Sequence, residues 1–250
     1  MLNQKGAHVM VTTRKSRRPG SVACYPDEIM RLLGSMEQET AVREACATGT
    51  YVDSKQLFQF FETPHDVATR MLAELPAGPG AYDVLEPNAG DGALVRAALS
   101  MRRRGLAAFD LGREVRVTAI ELDPKRCVNL RKEFSAGSGV ERVLERDFLT
   151  VTPEETSLFD WILMNPPFSR GQDMAHVRHA FEFLRAGGTL VAIMSPGFEY
   201  RSDAASALFR DWLSLRQSAD MASWHPLPEG SFKTSGTNVR TVMLTIKRGK

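Results

Sequence analysis

The chain has little cysteine: Cys24, Cys46 and Cys127 are its three, widely separated, with no C-x-x-C pair and no histidine nearby at ligand spacing. This excludes a disulfide framework and the usual zinc patterns, and no metal is expected. Buried or incidental thiols are the ordinary reading, with a reactive thiol as the rarer one. Also missing is any apolar run near the roughly 18 residues that span a bilayer, and the start lacks the apolar centre of a secretory signal. A soluble, cytoplasmic protein with no membrane partner is expected, and a prokaryotic, phage or plasmid setting suits it. No charge dominates, since the net charge is +2, so bulk electrostatics do not announce a nucleic-acid binder. There is no internal repeat. With 250 residues, 43% hydrophobic and 25% charged, low-complexity disorder is not the main organisation; one large α/β domain, alone or with a small appendage, fits.

What charge there is clusters. Residues 1–20 carry Lys5, Arg14, Lys15, Arg17 and Arg18 with no acidic residue, and Arg102-Arg103-Arg104 follows a helical run. Either cluster could lie along phosphates. The alternatives are a solvated tail or a transit peptide for the first, and a helix end whose positive charge complements the dipole for the second. From Pro26 to Ala47, Ile29, Leu32, Leu33, Met36 and Val42 recur at near-helical spacing. Residues 1–50 therefore read as a basic tail with a helical extension, and 51–250 as the main domain. A helix is expected after Thr63-Pro64, with Thr63 as cap and Pro64 early in the first turn. Beyond Pro76–Gly80 the chain alternates: strand 82–86, helix 93–104, strand 115–121, helix 124–134, strand 142–145, strand 159–164, helix 173–185, strand 189–194. Helix 203–216 and strands near 219–224 and 239–246 complete it. Such alternation predicts βαβ units and a parallel sheet covered on both faces.

Four segments can carry chemistry. Strand 82–86 runs into Glu86-Pro87-Asn88-Ala89-Gly90-Asp91-Gly92, a tight turn at a helix start where glycines let a ligand approach the backbone. Glu86 there would repel a pyrophosphate and welcome a positively charged ligand, or it merely caps the loop. Strand 115–121 ends in Glu121-Leu122-Asp123-Pro124, where Glu121 can accept both hydroxyls of a ribose and Asp123 caps the next helix. Asp147 can accept from an adenine amino group beside a stacking or slot-lining Phe148, or it is a turn residue. Asn165-Pro166-Pro167-Phe168 follows the buried run 159–164. Prolines remove backbone donors, leaving the Pro166 carbonyl to accept from another partner; Asn165 adds a second acceptor and Phe168 a stacking face. That combination grips a planar amine, although a rigid Pro-Pro turn with a core Phe reads the same way. Asp173, His176 and His179 fall on the following helix without a third metal ligand, and an exposed or cofactor-facing helix surface is expected there. Ser195-Pro196-Gly197 reads as a cleft-side turn without a role.

In this order the segments resemble class I S-adenosylmethionine-dependent methyltransferases, specifically the amino-group DNA methyltransferases acting on adenine N6. The likeness covers roughly residues 55–246 and adds Phe61-Glu62-Thr63-Pro64, similar to a motif holding the cofactor's methionine end, and Gly230–Thr237, similar to a loop whose aromatic packs on an extruded base. The resemblance implies a doubly wound, Rossmann-like, mostly parallel seven-stranded sheet with helices on both faces and an antiparallel last strand. It implies catalysis by Asn165, Pro166, Pro167 and Phe168, and a base held between Phe168 and Phe232. Cofactor contacts are implied at Phe61, Thr63, Pro64, Glu86, Asn88, Gly90, Gly92, Glu121, Leu122, Asp147, Phe148 and Asn165. DNA is the implied partner. An RNA amino-group methyltransferase and a non-catalytic, cofactor-binding nucleic-acid adaptor are the alternatives. Sequence-specific members usually carry a separate recognition region, whereas residues 169–250 are mostly needed to finish the sheet; low or short specificity is therefore expected, with helix 203–216 and its flanking loops, residues 1–50 or a partner subunit as alternative readers, and a homodimer stays open.

Overall fold

The computed structural model describes residues 61–76, 78–101 and 113–250, and the backbone of residues 21–22 and 52–53. The helix expected over Pro26–Ala47, the basic start, Arg102-Arg103-Arg104, Cys24 and Cys46 lie outside the described residues. The chain forms two compact units, one of residues 1–61 and 167–172, the other of residues 62–166 and 173–250. In the first, β1 (Ser21–Val22) pairs antiparallel with β2 (Val52–Asp53).

The second unit is built on a seven-stranded sheet of β3 (Gly80–Glu86), β4 (Arg113–Glu121), β5 (Val140–Glu145), β6 (Phe159–Met164), β7 (Leu184–Met194), β8 (Ala222–Pro226) and β9 (Val242–Lys247), in spatial order β5-β4-β3-β6-β7-β9-β8. Every pairing from β5 through β7 is parallel; β9 runs antiparallel to both of its neighbours. The expected doubly wound sheet with an antiparallel last strand is thus what the chain forms. A central parallel strand is covered on both faces and cannot alternate. Accordingly β6, Phe-Asp-Trp-Ile-Leu-Met, is buried at all positions but Asp160.

The helices are α1 (His65–Ala73), α2 (Ala93–Ser100), α3 (Pro124–Glu133), α4 (Pro153–Thr156), α5 (Gln172–Glu182), α6 (Gly197–Tyr200) and α7 (Ala204–Gln217). Val177 and Ala180 of α5 and Phe209 and Leu213 of α7 share a core with Ile162, Leu190 and Leu244 of the sheet. Short α4 and α6 carry too few apolar positions for a periodicity, and the sequence reading did not find them. α3 begins as expected: Asp123 Oδ1 accepts from Lys125 N at 2.8 Å, with Pro124 in the first turn. α1 begins one residue later than expected, with Pro64 itself at the cap position and no side-chain cap bond. The hydroxyl of Thr63 is thereby spared for another use.

Strand order reverses between β3 and β6, because β4 and β5 are laid on one side of β3 and β6 on the other. A crevice opens at the carboxyl ends of such a pair. Glu86 ends β3, and Asn165 follows β6 directly.

Candidate active site

The loop after β3 is shaped by two left-handed residues, Gly90 (φ 54°) and Gly92 (φ 85°). Only glycine holds that conformation cheaply. At Gly92 there is also no room: a Cβ would sit 2.9 Å from Phe134 Cε2 and 3.0 Å from Leu130 Cδ2. Gly92 therefore sets how closely the loop lies over α3.

Glu121, at the end of β4, braces this loop. Its Oε2 accepts from Gly90 N at 2.7 Å and its Oε1 from Asp123 N at 2.8 Å. Each oxygen retains a second lone pair, so the carboxylate can still receive two hydroxyl donors. Burial raises its pKa, offset by the bonds from Asp123 and Gly90 and by the charge of Arg126. No sequence signal marks this bracing, since it joins the end of β4 to the loop after β3, 31 residues away.

Glu86 is 1% exposed. Burial holds its pKa well above the ordinary carboxylate value, opposed by one hydrogen bond from Asn88 N and reinforced by nearby Glu121. No Lys or Arg among the described residues forms an ion pair with it. A buried carboxylate without a counter-charge favours a cationic ligand. Next to it, Asn88 Nδ2 lies 3.2 Å from His176 Nδ1, while Asn88 Oδ1 is buried with no hydrogen-bond partner. A buried acceptor beside a carboxylate with no ion pair among the described residues fits a ligand ammonium, which supplies both donors and charge.

Of the exposed or cofactor-facing helix surface expected here, His176 excludes the exposed alternative: it is 6% exposed, because α5 packs on the sheet. Burial, with the charge of His179, pushes its pKa down to about 4, so a neutral ring accepts from the Asn88 amide. His179 Nε2 is 3.1 Å from the Phe148 carbonyl and 2.9 Å from that of Val151. Both imidazoles are thus used within the fold. Asp173 is also buried, its Oδ2 accepting from Ser195 N at 3.0 Å, which ties the start of α5 to the end of β7. Ser195 thereby has a role that its turn composition did not reveal.

After β5, Asp147 Oδ1 accepts from Leu149 N at 3.0 Å, and Phe148 packs within the core against His179 and Phe183. After β6, Asn165 is half-buried and Pro166 buried. Asn165 Nδ2 donates to Thr63 Oγ1 at 3.1 Å. Phe232 is 2% exposed, and Ser235 Oγ in the same loop donates to the Glu62 carbonyl at 2.6 Å. Thus Glu86, Asn88, Gly90, Gly92 and Glu121 belong to one braced loop system, while Thr63, Asn165 and the 232–235 loop are joined through residues 62–63. Leu122 is half-buried at the β4 end and Pro64 half-buried at the start of α1.

In the other unit, Phe61, Pro167 and Phe168 are half-buried. Phe168 precedes a turn over Ser169–Gly171 in which Arg170 is left-handed, with φ 49°. Such a conformation in a non-glycine residue stores strain of order 1 kcal/mol, a feature common beside functional sites.

A family model for the methyltransferase small domain matches residues 60–219. No curated protein matches. Among solved structures, a protein assigned as the modification subunit of a type I restriction enzyme from Vibrio vulnificus YJ016 is similar, with TM-score 0.60 and 21% identity over 89% of this chain and 49% of that one. A protein assigned as a class I S-adenosylmethionine-dependent methyltransferase from Listeria monocytogenes has TM-score 0.57 and 12% identity over 89% and 70% of the two chains. The 23S rRNA methyltransferase ErmE has TM-score 0.52 and 20% identity over 76% and 71%. This chain spans about half the length of the Vibrio subunit. By the extent of the family match, the chain belongs to the methyltransferase small domain family.

Proposed function

We propose that this methyltransferase moves a methyl group from S-adenosylmethionine to the N6 amino group of adenine in DNA, and that residues 51–250 form its methyltransferase domain. The observation that carries the reading is Asn165-Pro166 at the carboxyl end of β6, next to the strand-order reversal, with Asn165 Nδ2 donating to Thr63 Oγ1. The cofactor's chemistry fits the loop beside it: its ammonium matches buried Glu86 and the orphaned Asn88 Oδ1, and its ribose hydroxyls match the two acceptors of Glu121. Bound there, S-adenosylmethionine supplies an electrophilic sulfonium methyl.

The residues of this chain make an unreactive amine reactive. An exocyclic amine on a purine is a poor nucleophile because its lone pair is delocalised into the ring. Asn165 Oδ1 and the Pro166 carbonyl accept its two N–H bonds, favour a pyramidal nitrogen and stabilise the positive charge that builds as it attacks. Adenine in a duplex must first leave the stack, at a cost of a few kcal/mol. Phe168 and Phe232 are proposed to hold the extruded base, and stacking worth roughly 1–3 kcal/mol offsets much of that cost. Phe232 is 2% exposed, so this role requires its ring to become accessible to the base. Short or relaxed target specificity, and a partner subunit that supplies recognition, belong to the same proposal.

Asn165→Ala should abolish methyl transfer to DNA while S-adenosylmethionine binding persists. Nucleoside mass spectrometry of DNA and RNA from a methylation-free host should show N6-methyladenine in DNA. Modified RNA with unmodified DNA would replace the substrate, and cofactor binding without turnover would leave an adaptor.

A further inference from the structure

Thr63 is 6% exposed and lies between a proline and a residue held from both sides. Pro64 fixes the backbone ahead of α1, with its carbonyl accepting from Ala68 N at 2.9 Å. Glu62 receives Ser235 Oγ on its carbonyl at 2.6 Å, and its carboxylate meets Arg96 NH2 at 3.3 Å. Since α1 is capped at Pro64 and not by Thr63, the threonine hydroxyl contributes nothing to the helix start. It accepts instead from Asn165 Nδ2, at 3.1 Å across 102 residues of sequence.

A primary amide is chemically two-faced. One end donates twice and the other accepts twice, and the two ends have nearly the same shape. An amino substrate needs the accepting end; turned over, Asn165 would present N–H donors to N–H donors. Whatever engages Nδ2 therefore determines where Oδ1 points. On the methyltransferase reading given above, we propose that Thr63 is a positioning residue: its hydroxyl accepts from Asn165 Nδ2 and selects the amide orientation that directs Oδ1 to the substrate amine. The braced segment 62–64 also joins this choice to the 232–235 loop through Ser235. The position of that loop and the catalytic amide thus share one anchor. This role differs from the cofactor contact that the family resemblance implies for the same residue.

The two roles separate by measurement. Thr63→Val keeps the branched shape and removes the acceptor; Thr63→Ser restores it. If Thr63 positions Asn165, Thr63→Val lowers kcat by about five- to tenfold, the loss set by one neutral hydrogen bond. The dissociation constant of S-adenosylmethionine measured by calorimetry stays unchanged, and Thr63→Ser recovers most of the rate. An unaltered kcat in Thr63→Val overturns the proposal, as does a weakening of S-adenosylmethionine binding that accounts for the whole loss. The contact itself is read without turnover from the Asn165 side-chain ¹⁵NH₂ signals, identified by their absence in Asn165→Ala. They should shift in Thr63→Val and return in Thr63→Ser, and signals indifferent to Thr63→Val overturn the proposal. Wild-type protein that transfers no methyl group refutes the methyltransferase reading instead, and the amide signals then still decide the contact.

Discussion

Glu86 is placed at a cost to the protein that carries it, and Glu86→Gln should expose that cost. The carboxyl is 1% exposed, has one hydrogen bond from Asn88 N at 3.0 Å, and is held well above its ordinary pKa by burial and by Glu121. A carboxyl whose pKa is raised by folding stabilises the folded state below its unfolded value, and that contribution is lost as pH rises through the folded value. Above the ordinary carboxylate pKa, Glu86, which has no Lys or Arg ion pair among the described residues, is therefore a net penalty in the cofactor-free protein. Glutamine keeps an oxygen for Asn88 N and cannot ionise. Removing an uncompensated buried charge should recover on the order of 1–3 kcal/mol. At about 2–4 °C per kcal/mol for a chain of this size, Tm should rise by roughly 3–10 °C. The gain should shrink as pH falls through the raised pKa toward the ordinary carboxylate value, where Glu86 is protonated in both the folded and the unfolded chain. Glu86→Gln should simultaneously weaken S-adenosylmethionine by about 10- to 100-fold, the loss of one charge-assisted bond to an ammonium. Scanning calorimetry between pH 5 and 8 and titration calorimetry at pH 8 measure both. A variant less stable than wild type at pH 8, or one with undiminished cofactor affinity, would refute the reasoning.

Two further outcomes follow from other parts of the site. Gly92→Ala combines a left-handed φ of 85° with a Cβ 2.9 Å from Phe134 Cε2, and should cost about 1–3 kcal/mol in urea unfolding; an unmoved midpoint would mean that α3 yields freely. Asp173 has its pKa raised to about 6, first by burial, with the bonds from Ser195 and Met174 opposing. Its contribution to stability is complete below its unfolded value and fades as pH rises through about 6, so Asp173→Asn should flatten the fall in Tm across that interval. Parallel Tm profiles for the two proteins would contradict this.

Much of the architecture could be read from patterns in the chain. Phe159–Met164 reads as a central strand because it has almost no polar interruption, and the structure gives it those bounds. Asp123-Pro124 reads as a helix start because cap and proline act within one turn. The limits of the reading are equally physical. Thr63 looks like a cap by composition, yet α1 starts at His65, and the tertiary fold, not the local chain, assigns the hydroxyl to Asn165. His176 reads as part of an exposed or cofactor-facing helix surface, and only the packing of α5 on the sheet buries it against Asn88.

By itself the sequence determined the order of strands and helices, the glycines that let a loop turn back on itself, and the placing of acids and amides at strand ends, all of which depend on local geometry and hydrophobic period. Tertiary structure decided the environments. Burial raised the pKa of Glu86, which has no ion pair among the described residues, Glu121 became a brace for the loop after β3, and Thr63 was set against an amide 102 residues away. Desolvation and hydrogen-bond partnership depend on what surrounds a group in three dimensions, and neighbours distant in sequence leave no periodic trace in it.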